Sequence, residues 1–236
     1  MRHVLFLALV VAAPATAQEP LVTDRPDFTE SASVVGAGRF QLEGGTTYSR
    51  ADGEGEIAVG ELLLRIGLGS RLEGRVAGNS HVWSDAEDGF EDPVVGAKLL
   101  LAEGAAILAS ASVPIGSEGV GGDASEPEVR LAYAREAGSL SVGANVGWFW
   151  TEVADERRHG GLASLAFGIP LGPRDAAFVE AYGLATEGAG GEEVTIDGGL
   201  TRQLSDDFQL DARVGIGIGG DEASDWFFGV GAARRW

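Results

Sequence analysis

The chain reads as an all-β protein, an up-and-down antiparallel transmembrane β-barrel of about twelve strands with both termini on the periplasmic side. Three observations predict this. Apolar and polar residues alternate with a period of two from about residue 38 to the end. The connections between these stretches switch regularly between long and short. The chain also opens on an export leader, residues 1–17.

The leader is built from Arg2 and His3, an unbroken apolar run from Leu5 to Ala13, and the small-x-small sequence Ala15-Thr16-Ala17. Cleavage is expected before Gln18. No later stretch approaches the roughly 18 apolar residues of a spanning helix, which excludes a helical membrane protein. An export leader with no cysteine points to a bacterial envelope protein built without disulfides. One of the 17 basic residues, Arg2, leaves with the leader, so 16 remain against 36 acidic ones. Phosphates would repel such a chain, and nucleic acid is excluded as a partner. The 37 glycines show no collagen period and form no low-complexity tract.

After the leader, residues 18–37 form a separate N-terminal segment, and residues 38–236 form the barrel. The segment contains LVTDRPDFTESASVV, residues 21–35, too polar for a core strand and too short for a domain. Strands are expected over 38–50, 56–68, 70–83, 93–102, 105–115, 127–136, 139–151, 160–170, 175–187, 193–204, 207–219 and 225–236. In the seventh, Leu140, Val142, Ala144, Val146, Trp148 and Trp150 alternate with Ser141, Gly143, Asn145 and Gly147. In the eleventh, Phe208, Leu210, Ala212, Val214, Ile216 and Ile218 alternate with Gln209, Asp211, Arg213, Gly215 and Gly217. The long connections are ADGEGE, SDAEDGFED, GSEGVGGDASE, EVADERRHGG, EGAGGEE and GGDEAS. Short ones fall at Gly69-Ser70, Glu103-Gly104, Ala137-Gly138, Gly172-Pro173-Arg174 and Ser205-Asp206-Asp207. A meander puts all the long loops at one end, as in outer-membrane barrels.

Pro93, Pro114, Pro127 and Pro170 stand at strand ends, where a missing N–H breaks no ladder bond. Tyr48, Trp148, Trp150, Trp226 and Phe228 gather toward the long-loop end, and Phe40, Phe208 and Trp236 toward the other. The last strand, WFFGVGAARRW, carries a stripe of Phe228, Val230, Ala232, Arg234 and Trp236. A terminal aromatic strand of this kind resembles the signal read by the outer-membrane insertion machinery, with Phe228, Val230 and Trp236 as its residues. Arg234 interrupts the stripe but lies near enough to the interface to extend its charge into water.

The polar face carries Glu43, Arg65, Glu73, Arg75, Lys98, Arg130, Glu180, Asp197, Asp211 and Arg213 in mid-strand. Against lipid such charges cost about 2–4 kcal/mol at the midplane for Arg or Lys, so all are expected to face the lumen. There they either fill the barrel as a paired network or line a path for small solutes. No enzyme is expected. Ser80 and His81 are strand neighbours that point to opposite faces, and His159 follows Arg157-Arg158 in an expected external loop. Two such histidines make a poor metal site, and Asp85-Ala86-Glu87-Asp88-Gly89 lacks calcium-loop spacing. Gly215-Ile216-Gly217-Ile218-Gly219-Gly220 matches GxGxxG outside its strand–turn–helix context. No cofactor or metal is expected.

Thr23-Asp24-Arg25-Pro26-Asp27-Phe28-Thr29-Glu30 and Gly38-Arg39-Phe40-Gln41-Leu42-Glu43-Gly44-Gly45 resemble the start of the outer-membrane transporters linked to the meta pathway of phenol degradation. Leu210-Asp211, Gly215, Gly217, Asp225, Phe228-Gly229-Val230-Gly231 and the terminal aromatic are similar to its end. The resemblance implies an outer-membrane barrel, in contact with lipid, that passes small solutes, aromatic or hydrophobic ones among them; passage is expected to be passive, because nothing in the sequence resembles a nucleotide site or an energy-coupling domain. The alternative is a closed structural or surface-interaction barrel without transport. The N-terminal segment is either a disordered lead-in left by leader cleavage or, the preferred expectation, a plug that folds into or across the barrel mouth. There Asp24, Arg25 and Asp27 pair with wall charges, Pro26 stiffens the turn and Phe28 wedges against the rim.

Overall fold

Strands that alternate apolar and polar side chains can satisfy lipid on one side and water on the other only if their backbone edges are closed. The computed structural model shows that closure. It describes residues 21–236 except 79, 87, 154, 155, 189, 190 and 222; the leader and residues 18–20 lie outside the described residues. The strands are β1 (Phe40–Ala51), β2 (Glu54–Gly67), β3 (Leu72–Gly78), β4 (His81–Ser84), β5 (Asp88–Phe90), β6 (Pro93–Ala102), β7 (Ala105–Ser112), β8 (Pro127–Ala137), β9 (Leu140–Val153), β10 (Glu156–Pro170), β11 (Asp175–Thr186), β12 (Glu193–Ser205), β13 (Phe208–Gly219) and β14 (Trp226–Arg235).

Neighbours pair antiparallel from β6 to β14, β3 pairs with both β2 and β6, and β1 pairs with both β2 and β14. That circuit is a closed barrel of twelve strands. At the seam the Phe40 amide donates to the Trp236 carbonyl and the Trp236 amide to that of Phe40. The first strand therefore begins where the last one ends, at the short-turn end. β4 and β5 stand outside the circuit as a hairpin whose first strand extends the edge of β2, Glu56–Val59 opposite Ser84–His81.

Four local expectations need correction. The strand expected over 70–83 is two, β3 and β4, and SDAEDGFED contains β5. ADGEGE is not a long loop. β1 and β2 continue through it to a tight turn at Asp52-Gly53, both at positive φ (51° and 88°), as a two-residue primed hairpin turn requires. EVADERRHGG is likewise strand on both sides, which puts His159 within β10, opposite Trp150. Polar hairpin extensions beyond the membrane have two wet faces, so no alternation marks them as strand.

The outer face is a continuous apolar belt, with Val146, Leu200, Val214 and Ile218 among its most exposed members. β2 keeps its apolar side outward by changing parity. Ile57 and Val59 face outward below the change and Leu62 above it, because the register slips between Glu43 and Gly45 on β1. Gly60 (φ 110°) and Glu61 (φ 40°) form that bulge. The bulge aims Glu61 into the lumen, where its carboxylate accepts from the Thr47 hydroxyl at 2.6 Å. Arg234, on the lipid side, lies over the Trp236 ring at 5.4 Å.

Candidate functional site: a chain segment held inside the barrel

Residues 21–38 run through the interior before β1 starts, and their backbone is hydrogen-bonded to side chains of the wall. An irregular segment has no ladder to satisfy its amides and carbonyls, so most of its buried ones need partners from elsewhere. The wall supplies them. Glu43 accepts from the amides of Asp24 (3.0 Å) and Arg25 (2.8 Å), and Glu73 from that of Val35 (2.8 Å). Glu180 accepts from those of Phe28 (2.6 Å) and Thr29 (2.7 Å). Asn145 brackets Glu30, accepting from its amide at 2.8 Å and donating to its carbonyl at 3.0 Å. Arg65 donates to the carbonyls of Val22 and Ser33, Lys98 to Ser31, Arg130 to Phe28 and Arg213 to Pro26.

The centre of the site is Asp24. Its carboxylate meets Arg75 at 2.6 Å, Lys98 at 2.8 Å and Arg65 at 3.3 Å, and accepts from the Ser31 amide. Burial alone would raise its pKa, but Arg65, Lys98 and Arg75 outweigh that and hold it well below the ordinary carboxylate range. Arg65 is itself braced by Glu73 and Glu43 at 3.0 and 3.1 Å. Arg65, Glu43, Glu73 and Lys98 are at most 1 % exposed, so each charge is satisfied by protein rather than water. Asp27 is opposite in character. Removal from bulk water and then the negative charge of Glu180 push its carboxyl well above the usual range.

Arg25 crosses toward the other side, pairing with Glu61 at 2.9 Å and Asp211 at 3.5 Å. Its guanidinium lies where side chains at Gly45 and Gly231 would stand: a Cβ there would come within 2.2 and 2.6 Å of it. Phe28 does not wedge at the rim as expected. It stacks on Tyr182 with ring centres 4.3 Å apart and carries the Arg130 guanidinium at 4.8 Å. Pro26 is buried, and a cavity of about 460 Å³ remains between the segment and β8–β11, lined in part by Ala32, Gly143, Ala166 and Phe178.

All ten lumen residues read from the alternation, Glu43, Arg65, Glu73, Arg75, Lys98, Arg130, Glu180, Asp197, Asp211 and Arg213, are on the inner face, and all but Arg75 and Arg213 are buried. Phe228, Val230 and Trp236 are exposed on the lipid side, as an outward stripe requires. Glu30, Gln41, Glu61, Asn145 and Tyr182 also belong to the site, beyond the residues that the sequence assigns to it. Gln41 and Tyr182 share a face with Glu43 and Glu180 at two-residue spacing, which was the available signal. Glu61 was hidden by its bulge. His81 lies in the β4–β5 hairpin, stacked on Trp83 at 3.9 Å, and His159 stacks on Trp148 and meets Glu187 at 2.9 Å. Among the described residues no cluster of His, Asp and Glu has the geometry to hold a metal ion.

The barrel is similar to the solved COG4313 outer membrane channel from Pseudomonas putida F1, at a TM-score of 0.69 and 14 % identity, over 91 % of this chain and 100 % of that one. It is also similar to the KdgM porin, at a TM-score of 0.54 and 12 % identity, over 82 % and 98 %. At such identities the likeness establishes the fold, that of outer-membrane β-barrels. No curated protein matches. The family described as "Putative MetA-pathway of phenol degradation" matches residues 23–236. With that match across all the strands and most of the inserted segment, the chain belongs to this family.

Proposed function

We propose that the protein is an outer-membrane channel for the passive passage of small solutes, aromatic or hydrophobic ones among them, closed in this state by its own N-terminal segment. The observation that carries the reading is the seat of residues 21–38, held by side chains rather than by sheet pairing. Side-chain contacts can be exchanged without opening the barrel, whereas a strand could not leave. Residual space supports the same reading: besides the cavity of about 460 Å³, one of about 230 Å³ lies beside Val35, Gln41 and Arg65. The names carried by the two solved structures, a channel and a porin, and the family's phenol description agree with it.

In this reading the leader exports the chain, the insertion machinery reads Phe228, Val230 and Trp236, and both termini face the periplasm. The segment enters from that side as a plug through Asp24, Arg25, Pro26, Asp27 and Phe28. The lumen residues select and conduct without enzyme chemistry. A second reading has its own support. The Arg65–Glu73–Asp24–Lys98 network is so fully paired that it would serve a closed structural barrel equally well. Liposome swelling with full-length protein and with a chain lacking residues 20–35 separates the two. Faster uptake of small sugars and phenols through the shortened chain is expected. A folded but impermeable shortened barrel would leave the structural reading.

A further inference from the structure

Phe28 is the one aromatic residue of the inserted segment, and the wall receives it with unusual chemistry. Tyr182 on β11 lies nearly parallel to its ring, at 4.3 Å and 9°. The Arg130 guanidinium on β8 sits over it at 4.8 Å, positioned in turn by Glu128 at 2.9 Å. Two positions from Tyr182 on the same face, Glu180 accepts from the amides of Phe28 and Thr29. Remove the segment, and the wall retains an aromatic face, a cation that favours an electron-rich ring, and a carboxylate wanting a donor. The cavity of about 460 Å³, whose lining includes Thr29, Ala166 and Phe178, adjoins this place.

We propose that Tyr182, Arg130 and Glu180 form a binding site for a one-ring aromatic solute bearing a hydroxyl group, and that Phe28 occupies it as an internal surrogate. The inference rests on the channel reading for its purpose but not for its geometry. The phenyl ring of Phe28 is the size of the solute ring. The backbone N–H groups now given to Glu180 stand where a phenolic O–H would donate. A carboxylate on the solute would meet Glu180, with Asp197 opposite it in the ladder. Aromatic acids are therefore disfavoured, and rings with no donor leave Glu180 unserved. Because Phe28 is tethered, it competes at an effective concentration in the ~mM range, which masks the site in the intact chain.

The test is titration calorimetry of the full chain in lipid nanodiscs with phenol, toluene and benzoate. Phe28→Ala removes the ring that holds residues 28 and 29 over Glu180, so phenol can displace their amides, and it is expected to bind phenol at least about tenfold more tightly than the parent, about 1.4 kcal/mol. Toluene should bind more weakly and benzoate weakest. Adding Tyr182→Leu to Phe28→Ala should abolish the gain; if that pair does not fold by heat-modifiable mobility, Arg130→Gln in place of Tyr182→Leu gives the same reading. No gain in Phe28→Ala, or a gain that survives both second changes, would overturn the site. Phenol binding without solute passage would retain this site and remove the channel reading. Passage through the shortened barrel without phenol binding would do the reverse.

Discussion

The two halves of the lumen wall hold the same segment in different ways. On β1, β2, β3 and β6, Glu43, Arg65, Glu73, Arg75 and Lys98 form a closed set with Asp24 and Glu30, joined by ion pairs of 2.6–3.3 Å. On β12 and β13, neither carboxylate oxygen of Asp197 nor Asp211 Oδ2 meets a hydrogen-bond donor, and Arg213 Nε, like Arg25 Nε on the segment, meets no acceptor. A buried ionic group without partners is costly unless water reaches it, so the two halves have different preferences. The first half is satisfied with the segment in place; the second is served better when solvent enters. The segment is thus held by a complete ionic set on the first flank and by an incomplete one on the other.

The largest test of this contrast is Arg65→Leu. It leaves Glu43, Glu73 and Asp24 buried without their shared cation, and loss of one partner of a buried pair costs about 3–5 kcal/mol. Urea unfolding in lipid should show that loss, together with exposure of residues 21–38 to protease. In the other half, Asp197→Asn replaces a buried carboxyl whose oxygens meet no donor and should change stability by no more than about 1 kcal/mol. Its effect belongs to conduction, where cation preference should fall. Equal destabilisation by the two changes would erase the distinction.

Proton linkage sharpens it further. Asp24 is depressed, so its contribution to docking is present above the ordinary carboxylate pKa of about 4 and is lost as pH falls through its lowered value. Asp27 is raised, so its contribution is full below about 4 and is lost as pH rises through its raised value. Segment release in the parent should therefore increase as pH climbs, and Asp27→Asn should flatten that increase while leaving the acid limb set by Asp24. Protease accessibility of residues 21–38 against pH reads both limbs. The smallest effect is at the rim: Arg234→Ala removes a cation–π contact at the interface, worth about 0.5–1 kcal/mol, and should leave conduction unchanged.

Most of the barrel was legible because lipid punishes error so heavily. Arg65, Lys98 or Asp211 can face only inward, and one inward charge fixes the parity of its strand. The parity change at Gly60-Glu61 was not legible, since a glycine in a strand looks the same whether it pairs or bulges. The polar strand ends at Asp52-Gly53 and around His159 carried no alternation, having water on both faces. The inserted segment announced itself by composition, but its partners did not. Contacts such as Asp24 with Lys98 or Phe28 with Tyr182 join a coil to distant strands, and no local period records them.

The central claim is that residues 21–38 must move for solute to pass. The chain has no cysteine, so a single engineered pair reports on it cleanly. Thr29 and Ser164 stand with their hydroxyl oxygens 2.7 Å apart, one on the segment and one on β10. Thr29→Cys with Ser164→Cys, oxidised, ties the segment to the wall. In planar bilayers the reduced protein should conduct and the oxidised protein should conduct at least about tenfold less, with conduction restored by a thiol reductant. Equal conductance in the two states, with the cross-link verified on gels, would contradict the claim.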